Sequence, residues 1–319
     1  MELIRDLETI DPRHRGGVLS VGVFDGVHVG HQKVLGRAVE RARGLGVEAL
    51  VFTFHPHPLG ILRPAEEPPL IQTFGQKLDL MREIGIAAVV WPRDVASVLA
   101  MAPEAFFERI VCGVLAARAL VEGGDFHFGA GAGGDRRLLA RLAGERGLEA
   151  EFVADVEVDG RRVSSTRIRG LIAEGRVAEA ARCLGRPYGY LGTVVEGYHR
   201  GAGLGYPTVN LQSPRFLVPG EGVYAGWAAV RGRRHAAAIS IGRAPTFHED
   251  QPVVVEAFLL DFDGELYGDQ VALEFVEYLR PQKTFANPES LRTAMAADCD
   301  RVRAILAAGS EPQAPGQGG

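Results

Sequence analysis

The sequence predicts two domains of different class: an α/β domain built on a parallel sheet with helices on both faces, then a small antiparallel β domain, barrel or sandwich, followed by a helix. Three observations predict this. The first half of the 319-residue chain alternates short apolar runs with amphipathic stretches. The second half turns to short strand-like runs separated by turn signals such as "RGRR" and "FDGE". Between them lies the glycine- and proline-rich "GRPYGYLG", residues 185–192. The expected bounds are 1–184, 185–308 and a disordered tail at 309–319, where "GSEPQAPGQGG" has too little apolar content to bury.

The elements follow in order. "VLSVGVF" (18–24) reads as a buried strand and "HQKVLGRAVERARGLG" (31–46) as a helix ended by glycine. Strand 48–54, helix 73–85, strand 87–91, helix 102–115, strand 118–123, helix 135–147 and strand 149–156 continue the alternation. A helix opening at "SSTRIRGLIAEG" runs to about Leu184. Beyond the break, "YLGTVVEGY", "GVYAGWAAV", "RHAAAISIG", "VVVEAFLLDF" and "VALEFVEYL" read as strands, and "PESLRTAMAADCDRVRAILAA" as the last helix.

Hydrophobic content of 46% and charged content of 24% fit a globular protein. A net charge of −5 gives no general attraction to nucleic acid or anionic membrane, so neither is expected as a partner. Three cysteines far apart, without CxxC, argue against a disulfide framework or zinc ribbon and fit a reducing compartment. The N-terminus lacks the apolar core of a signal peptide, and no apolar run approaches the ~18 residues that span a bilayer. A cytoplasmic protein with no obligate protein partner is the expectation.

"VGVFDGVHVGHQ", residues 21–32, ends an apolar strand in glycines and two histidines three residues apart, His28 and His31. Ligands of open α/β sheets sit beyond the carboxyl ends of the strands, and a helix N-terminus attracts phosphate. Two imidazoles on one helical turn can donate to phosphate oxygens, where charge develops in phosphoryl or nucleotidyl transfer. A glycine-rich turn with surface histidines is the plain alternative. In "RRVSSTRIR" (161–169), Ser164, Ser165 and Thr166 stand where a helix starts, flanked by Arg162, Arg167 and Arg169. An ordinary N-cap with solvated arginines is again the alternative. "FTFHPHP" (52–58) adds His55 and His57, as loop residues or, with the first pair, a zinc site. "GAGAGG" (129–134) matches G-x-G-x-x-G but lies past a strand that stops near Gly123, where a dinucleotide fingerprint should begin. No GxxxxGK[ST] occurs.

In "GLGYPTVNL" (203–211), Thr208 and Asn210 are two apart and share one side of an extended backbone. A hydroxyl and a carbonyl oxygen suit Mg²⁺ bound with nucleotide phosphates, and glycines before Pro207, Gly205 among them, let phosphates approach. Two outward polar residues after a proline turn are the alternative. Glu256 lies inside an apolar strand, with Phe258 and Leu260 on its face by alternation. Such a carboxylate has a partner, acts as a base on something bound, or sits at a strand rim.

The pattern G-x-F-D-G-x-H-x-G-H, carried by Gly22, Phe24, Asp25, Gly26, His28, Gly30 and His31, resembles the nucleotidyltransferase signature. It is closest to the adenylyltransferase half of bacterial bifunctional riboflavin kinase/FAD synthetases. "GGDFHFG" (123–129) and "FTFHPHP" resemble further motifs of that half, with His55 at a usually acidic place. "GYPTVN", "GVYA", "IGRAPTF" (241–247) and "LRPQKTF" resemble the riboflavin kinase half. The resemblance implies a Rossmann-like nucleotidyltransferase domain followed by an antiparallel β-barrel with a C-terminal helix. It implies two reactions: riboflavin to FMN with ATP, then FMN to FAD with release of pyrophosphate.

By the same resemblance, His28 and His31 serve adenylyl transfer, and Glu256 takes the proton of the ribityl 5′-hydroxyl. Thr208 and Asn210 hold Mg²⁺ with ATP. Gly22, Phe24, Asp25, Gly30, Asp125, Arg162, Ser165, Thr166, Arg169, Gly205 and Pro207 bind nucleotide or phosphate. Two basic residues usual in relatives are missing, between Gly129 and Asp135 and at Ala202, and Ser240 stands where many have asparagine. Other readings are a kinase with a weak adenylyltransferase, a non-catalytic flavin- or nucleotide-binding regulator, and a dinucleotide oxidoreductase resting on "GAGAGG" alone.

Overall fold

The computed structural model describes residues 1–196, 208–213, 216–243 and 253–308. By its contacts the chain divides into two compact units, Met1–Ser165 and Thr166–Gly319.

The first unit is built on six parallel strands: β1 (Glu2–Ile4), β2 (Val18–Val21), β3 (Ala49–Phe52), β4 (Ala88–Val90), β5 (Ala119–Gly123) and β6 (Glu149–Val153). Their order is β1-β4-β3-β2-β5-β6. Helices α1 (Val29–Leu45) and α2 (Phe74–Ile84) bury Leu35, Ala38 and Met81 with Val18, Val51 and Val89. On the other face, a helical stretch from Pro103 to Val114 and helix α3 (Arg136–Glu145) bury Phe107, Ile110 and Leu139 with Leu19, Leu50 and Phe52. Strands covered on both sides read as continuous apolar runs, which is why their pattern stood out. The edge strand β1 was not expected. It pairs with β4 in the register Glu2↔Ala88 to Ile4↔Val90.

Strand order reverses at β2, so the crevice between β2 and β5 is where a ligand of such a sheet belongs. Those two strands pair only at Val18↔Ala119 and Leu19↔Leu120. Beyond that point the Val21 N–H donates to Glu122 Oε1 at 2.8 Å, a side chain standing in for a backbone acceptor. "GAGAGG" forms the connection of a short hairpin, His127–Phe128 with Gly134–Asp135, with a 3-10 turn at Ala130–Ala132, and does not join a strand of the parallel sheet directly to a helix.

The helix expected to run to Leu184 is two helices, α4 (Ser165–Ala173) and α5 (Val177–Leu184). Gly175 breaks the run at φ +76°, a left-handed conformation that costs glycine little. Val177, Ala180, Cys183 and Leu184 of α5 are buried. The helix packs on two strands of the second unit, β7 (Tyr188–Val195) and β12 (Gln270–Arg280).

With β8 (Thr208–Gln212), β9 (Gly222–Val230), β10 (Arg233–Arg243) and β11 (Val253–Leu259), they close an antiparallel barrel in the order β7-β8-β11-β10-β9-β12. Ala237, Ile239, Ile241, Val255, Ala257 and Leu259 alternate into its interior. Helix α6 (Pro288–Ala308) lies on the outside, its Cys299, Val302 and Leu306 packed with Val223, Ala225 and Leu279.

Candidate functional site

The loop after β2 carries the first cluster. His28 is the N-cap of α1; its Nδ1 accepts the His31 N–H at 3.2 Å. That bond leaves Nε2 to bear the proton of the neutral ring. The two imidazoles stack with centroids 3.6 Å apart, and Phe24 meets His31 edge-on at 5.3 Å. A Cβ at residue 30 would come within 3.1 Å of the His28 ring, and one at residue 22 within 3.0 Å of the Phe24 ring. The glycines of the motif are therefore the room these rings occupy. His31 titrates well below its ordinary value, first because it is buried, then because His28 and Lys77 are near. Its Nδ1 is buried without a hydrogen-bond partner. A buried, unsatisfied ring nitrogen at a helix start is an opening for a ligand.

The loop itself is bent: Phe24 and Val27 have φ of +50° and +35°. Such residues cost on the order of 1–3 kcal/mol each and persist only when their surroundings hold them. Side chains from several elements donate to the loop's carbonyls. Lys77 Nζ reaches Val23 O at 2.6 Å and Thr53 Oγ1 the same atom at 3.3 Å. Gln72 reaches Phe24 O at 3.2 Å, Ser165 Oγ reaches Asp25 O at 2.9 Å, and Gln32 reaches Val27 O at 2.8 Å. Ser165, expected to bind phosphate, is seen here bracing the histidine loop.

Arg162 and Asp125, expected to bind phosphate and nucleotide, form an ion pair with each other, and Arg162 Nε lies 3.3 Å from Asp155. Thr166, Arg167 and Arg169 follow Ser165 on the first turns of α4. Beside the loop, Gly22 and Val23 with Phe54, Phe106, Phe126 and Phe128 line a cavity of about 140 Å³. His57 caps a short helix through Leu59 N–H, and His55 stacks on Phe74 at 4.5 Å. Among the described residues no group of histidine, cysteine and acidic side chains could hold a metal, so the zinc alternative has no support.

The second cluster lies on the outer face of the barrel, where Thr208, Ser240, Glu256 and Phe258 line a cavity of about 550 Å³ that α6 also lines; Asn210 is buried beside them and does not line it. Asn210 pairs with Glu256, and Glu256 with Ser240, in one row across β8, β11 and β10. Thr208, Phe258 and Ala238 form the next row. Side chains in such rows share a face, so hydroxyl, amide and carboxylate stand together. Leu260, expected beside Glu256, lies past the strand's end, in the core under α6. Arg280 donates to Asp298 at 3.0 and 2.7 Å and ties β12 to α6 at the cavity wall. Gln282 donates to Ser240 Oγ at 2.8 Å and to Ile241 O at 2.9 Å. Cys299 also lines the cavity, but burial pushes its thiol up to about 11 and keeps it unreactive. Gly205, Pro207, Ala202, residues 244–247 of "IGRAPTF" and the 309–319 tail lie outside the described residues.

Sequence reading missed Lys77, Gln72, Glu122 and Asp298, each a polar residue inside an apolar or amphipathic pattern, and only the fold brings its partner near; Arg280 and Gln282 lie within "LRPQKTF" but without an expected role.

The family model for FAD synthetase matches residues 10–167, and that for riboflavin kinase matches residues 184–306. A bifunctional riboflavin kinase/FMN adenylyltransferase of Pseudomonas fluorescens is 36% identical, over 96% of this chain and 98% of its own length. Proteins of the same description from Listeria monocytogenes and Escherichia coli are 33% and 31% identical, over 91% and 93% of this chain and 92% and 96% of their own. A crystal structure from Streptococcus pneumoniae, described as a macrolide-efflux protein, is 28% identical with a TM-score of 0.83, covering 94% of this chain and 98% of its own. Among the described residues no helix is long and apolar enough to cross a membrane. Two family matches in succession, and relatives aligned over nearly their full length, put one conclusion on both halves: the chain belongs to the bifunctional riboflavin kinase/FMN adenylyltransferase family.

Proposed function

We infer that the two units perform two successive reactions, riboflavin to FMN at the barrel and FMN to FAD at the parallel sheet. The observation that carries this is the presence of both family matches, in order, in one chain. ATP is the co-substrate of both steps: it gives up its γ-phosphoryl in the first and its AMP in the second.

At the barrel, Glu256 is the base for the ribityl 5′-hydroxyl, and its row with Asn210 and Ser240 supports that role. Thr208 and Asn210 offer a hydroxyl and an amide oxygen, hard donors that fit Mg²⁺. When bound, Mg²⁺ would screen the phosphate charge of ATP. Thr208→Ala with Asn210→Ala is expected to raise the Mg²⁺ needed for half-maximal FMN formation; an unchanged titration would remove the assignment. The cavity between barrel and α6 accepts the flavin.

At the sheet, His28 and His31 donate to the α-phosphate region of ATP. Gly22, Phe24, Asp25 and Gly30 shape that loop, and Ser165, Thr166, Arg162 and Arg169 serve the remaining phosphates. Asp125 releases Arg162 as nucleotide enters. The phenylalanine-lined cavity beside Gly22 offers apolar surface to one edge of the FMN ring.

Purified protein given riboflavin and MgATP, with products separated by chromatography, tests this reading. FMN and FAD together are expected. FMN alone would favour the reading in which "GAGAGG", lacking a basic side chain, weakens the second step. Neither product would leave a flavin- or nucleotide-binding regulator.

A further inference from the structure

Among the side chains that donate to the carbonyls of the loop after β2, Lys77 carries a charge, while Gln72, Gln32, Thr53 and Ser165 are neutral. Gln72, Gln32, Thr53 and Ser165 show that neutral donors suffice to satisfy its carbonyls. Lys77 is 7% exposed, so its ammonium has been taken out of water. A lysine is rarely buried unless something compensates, and desolvation disfavours its charged form. The Val23 carbonyl is one compensation, and the face of Phe74, 5.7 Å away, is another. Asp25, itself 5% exposed, attracts the charge, while His31 is repelled by it. Among the described residues, the titratable groups near it include Asp25 and His31, with His28 stacked on His31 and His55 stacked on Phe74. Every one of them belongs to the loop, to the start of α1 or to the wall beside it.

We propose that Lys77 is a positioning residue for FMN adenylylation: its charge, as well as its hydrogen bond, holds the bent 22–28 loop and readies the histidine pair for an anionic nucleotide. This rests on the assignment of adenylyl transfer to that loop. A neutral donor in its place would keep one bond and lose the attraction to Asp25 and the field under the incoming phosphates. Burial brings the ammonium down to about 8. The free enzyme therefore loses this charge as pH rises through that value, while His31 is already neutral.

The test follows FMN to FAD at saturating FMN, with kcat/KM for ATP measured from pH 6.5 to 9.5 on the full chain. Riboflavin phosphorylation by the same preparation and its melting temperature serve as controls. In the unaltered protein kcat/KM is expected to fall as pH passes about 8. Lys77→Arg, which stays charged, should move that limb upward or remove it. Lys77→Met should lower kcat/KM by about tenfold to a hundredfold, the scale of a small misplacement of reacting groups, with the first step unchanged. A flat profile in the unaltered protein, or the same limb in Lys77→Arg, overturns the proposal even if Lys77→Met fails to fold. So does a folded Lys77→Met variant with unaltered kcat/KM and pH profile. If the unaltered protein forms no FAD at all, it is the assignment of the reaction that fails, and the proposal with it.

Discussion

Glu256 and the pair His28–His31 belong to different units, and the proposed assignment gives each a separate reaction to serve. Glu256→Gln preserves volume and hydrogen-bonding reach but cannot accept the ribityl proton. It should retain riboflavin binding by fluorescence titration and slow single-turnover phosphorylation by about 10²-fold or more. His28→Ala and His31→Ala should do the opposite: FMN still forms from riboflavin, and most conversion of FMN to FAD is lost. An FMN-to-FAD rate like that of the unaltered protein in either histidine variant would sink the assignment. These residues were readable because histidine, serine and a strand carboxylate are chemically conspicuous, and glycine spacing marks a special turn. Lys77 was not. In "FGQKLDL" it reads as one more polar position of an amphipathic helix, and only the path of the loop after β2 gives it a partner.

At the scale of elements, the divergence of β2 from β5 opens the crevice, and Glu122 spans it. Burial holds its carboxyl well above the usual range. A group raised in the folded state contributes stability that is fully present below its unfolded pKa and is lost as pH rises through the folded one. Glu122→Gln keeps an acceptor for the Val21 N–H and removes the titration. The melting temperature of the variant should therefore gain on that of the unaltered protein as pH rises from 5 to 8; a constant difference across that range would show that Glu122 is compensated in both forms. The strands and helices around this crevice followed from periodicity, because two-sided burial writes itself as apolar runs. Helix α5 did not separate from α4 in the same way, since one glycine in an otherwise helical pattern marks a possible break without requiring it. Strand β1 is three residues long, and its partner β4 lies far along the sequence, so no local pattern announces it.

For the whole molecule, the composition break at 185–192 and the division after Ser165 make different fragments. A fragment from Gly185 bares the surface that Val177, Ala180, Cys183 and Leu184 cover. Losing those contacts costs on the order of 3 kcal/mol or more in apolar burial. A fragment from Thr166 retains them, together with the bond from Gly220 N–H to Ile172 O at 3.0 Å. The longer fragment should melt higher and phosphorylate riboflavin, and the shorter should be marginal or aggregate. Equal melting temperatures would mean that α4 and α5 add nothing to the barrel.

The short pairing of β1 with β4 bears on how the protein can be handled. A closed barrel has no lateral strand edge to offer a neighbour, but an open parallel sheet has two, and β1 covers one side of Ala88–Val90, all three of them buried. Its bonds are few: Glu2 N–H to Ala87 O at 2.8 Å and Trp91 N–H to Ile4 O at 2.8 Å lie at its two ends. Starting the polypeptide a dozen residues later would remove the cover and leave a row of amides and carbonyls on an apolar strand open to water and to pairing with another chain. Residues Glu2–Ile4 thus act as selvage to the sheet, and a purification tag belongs at the far terminus.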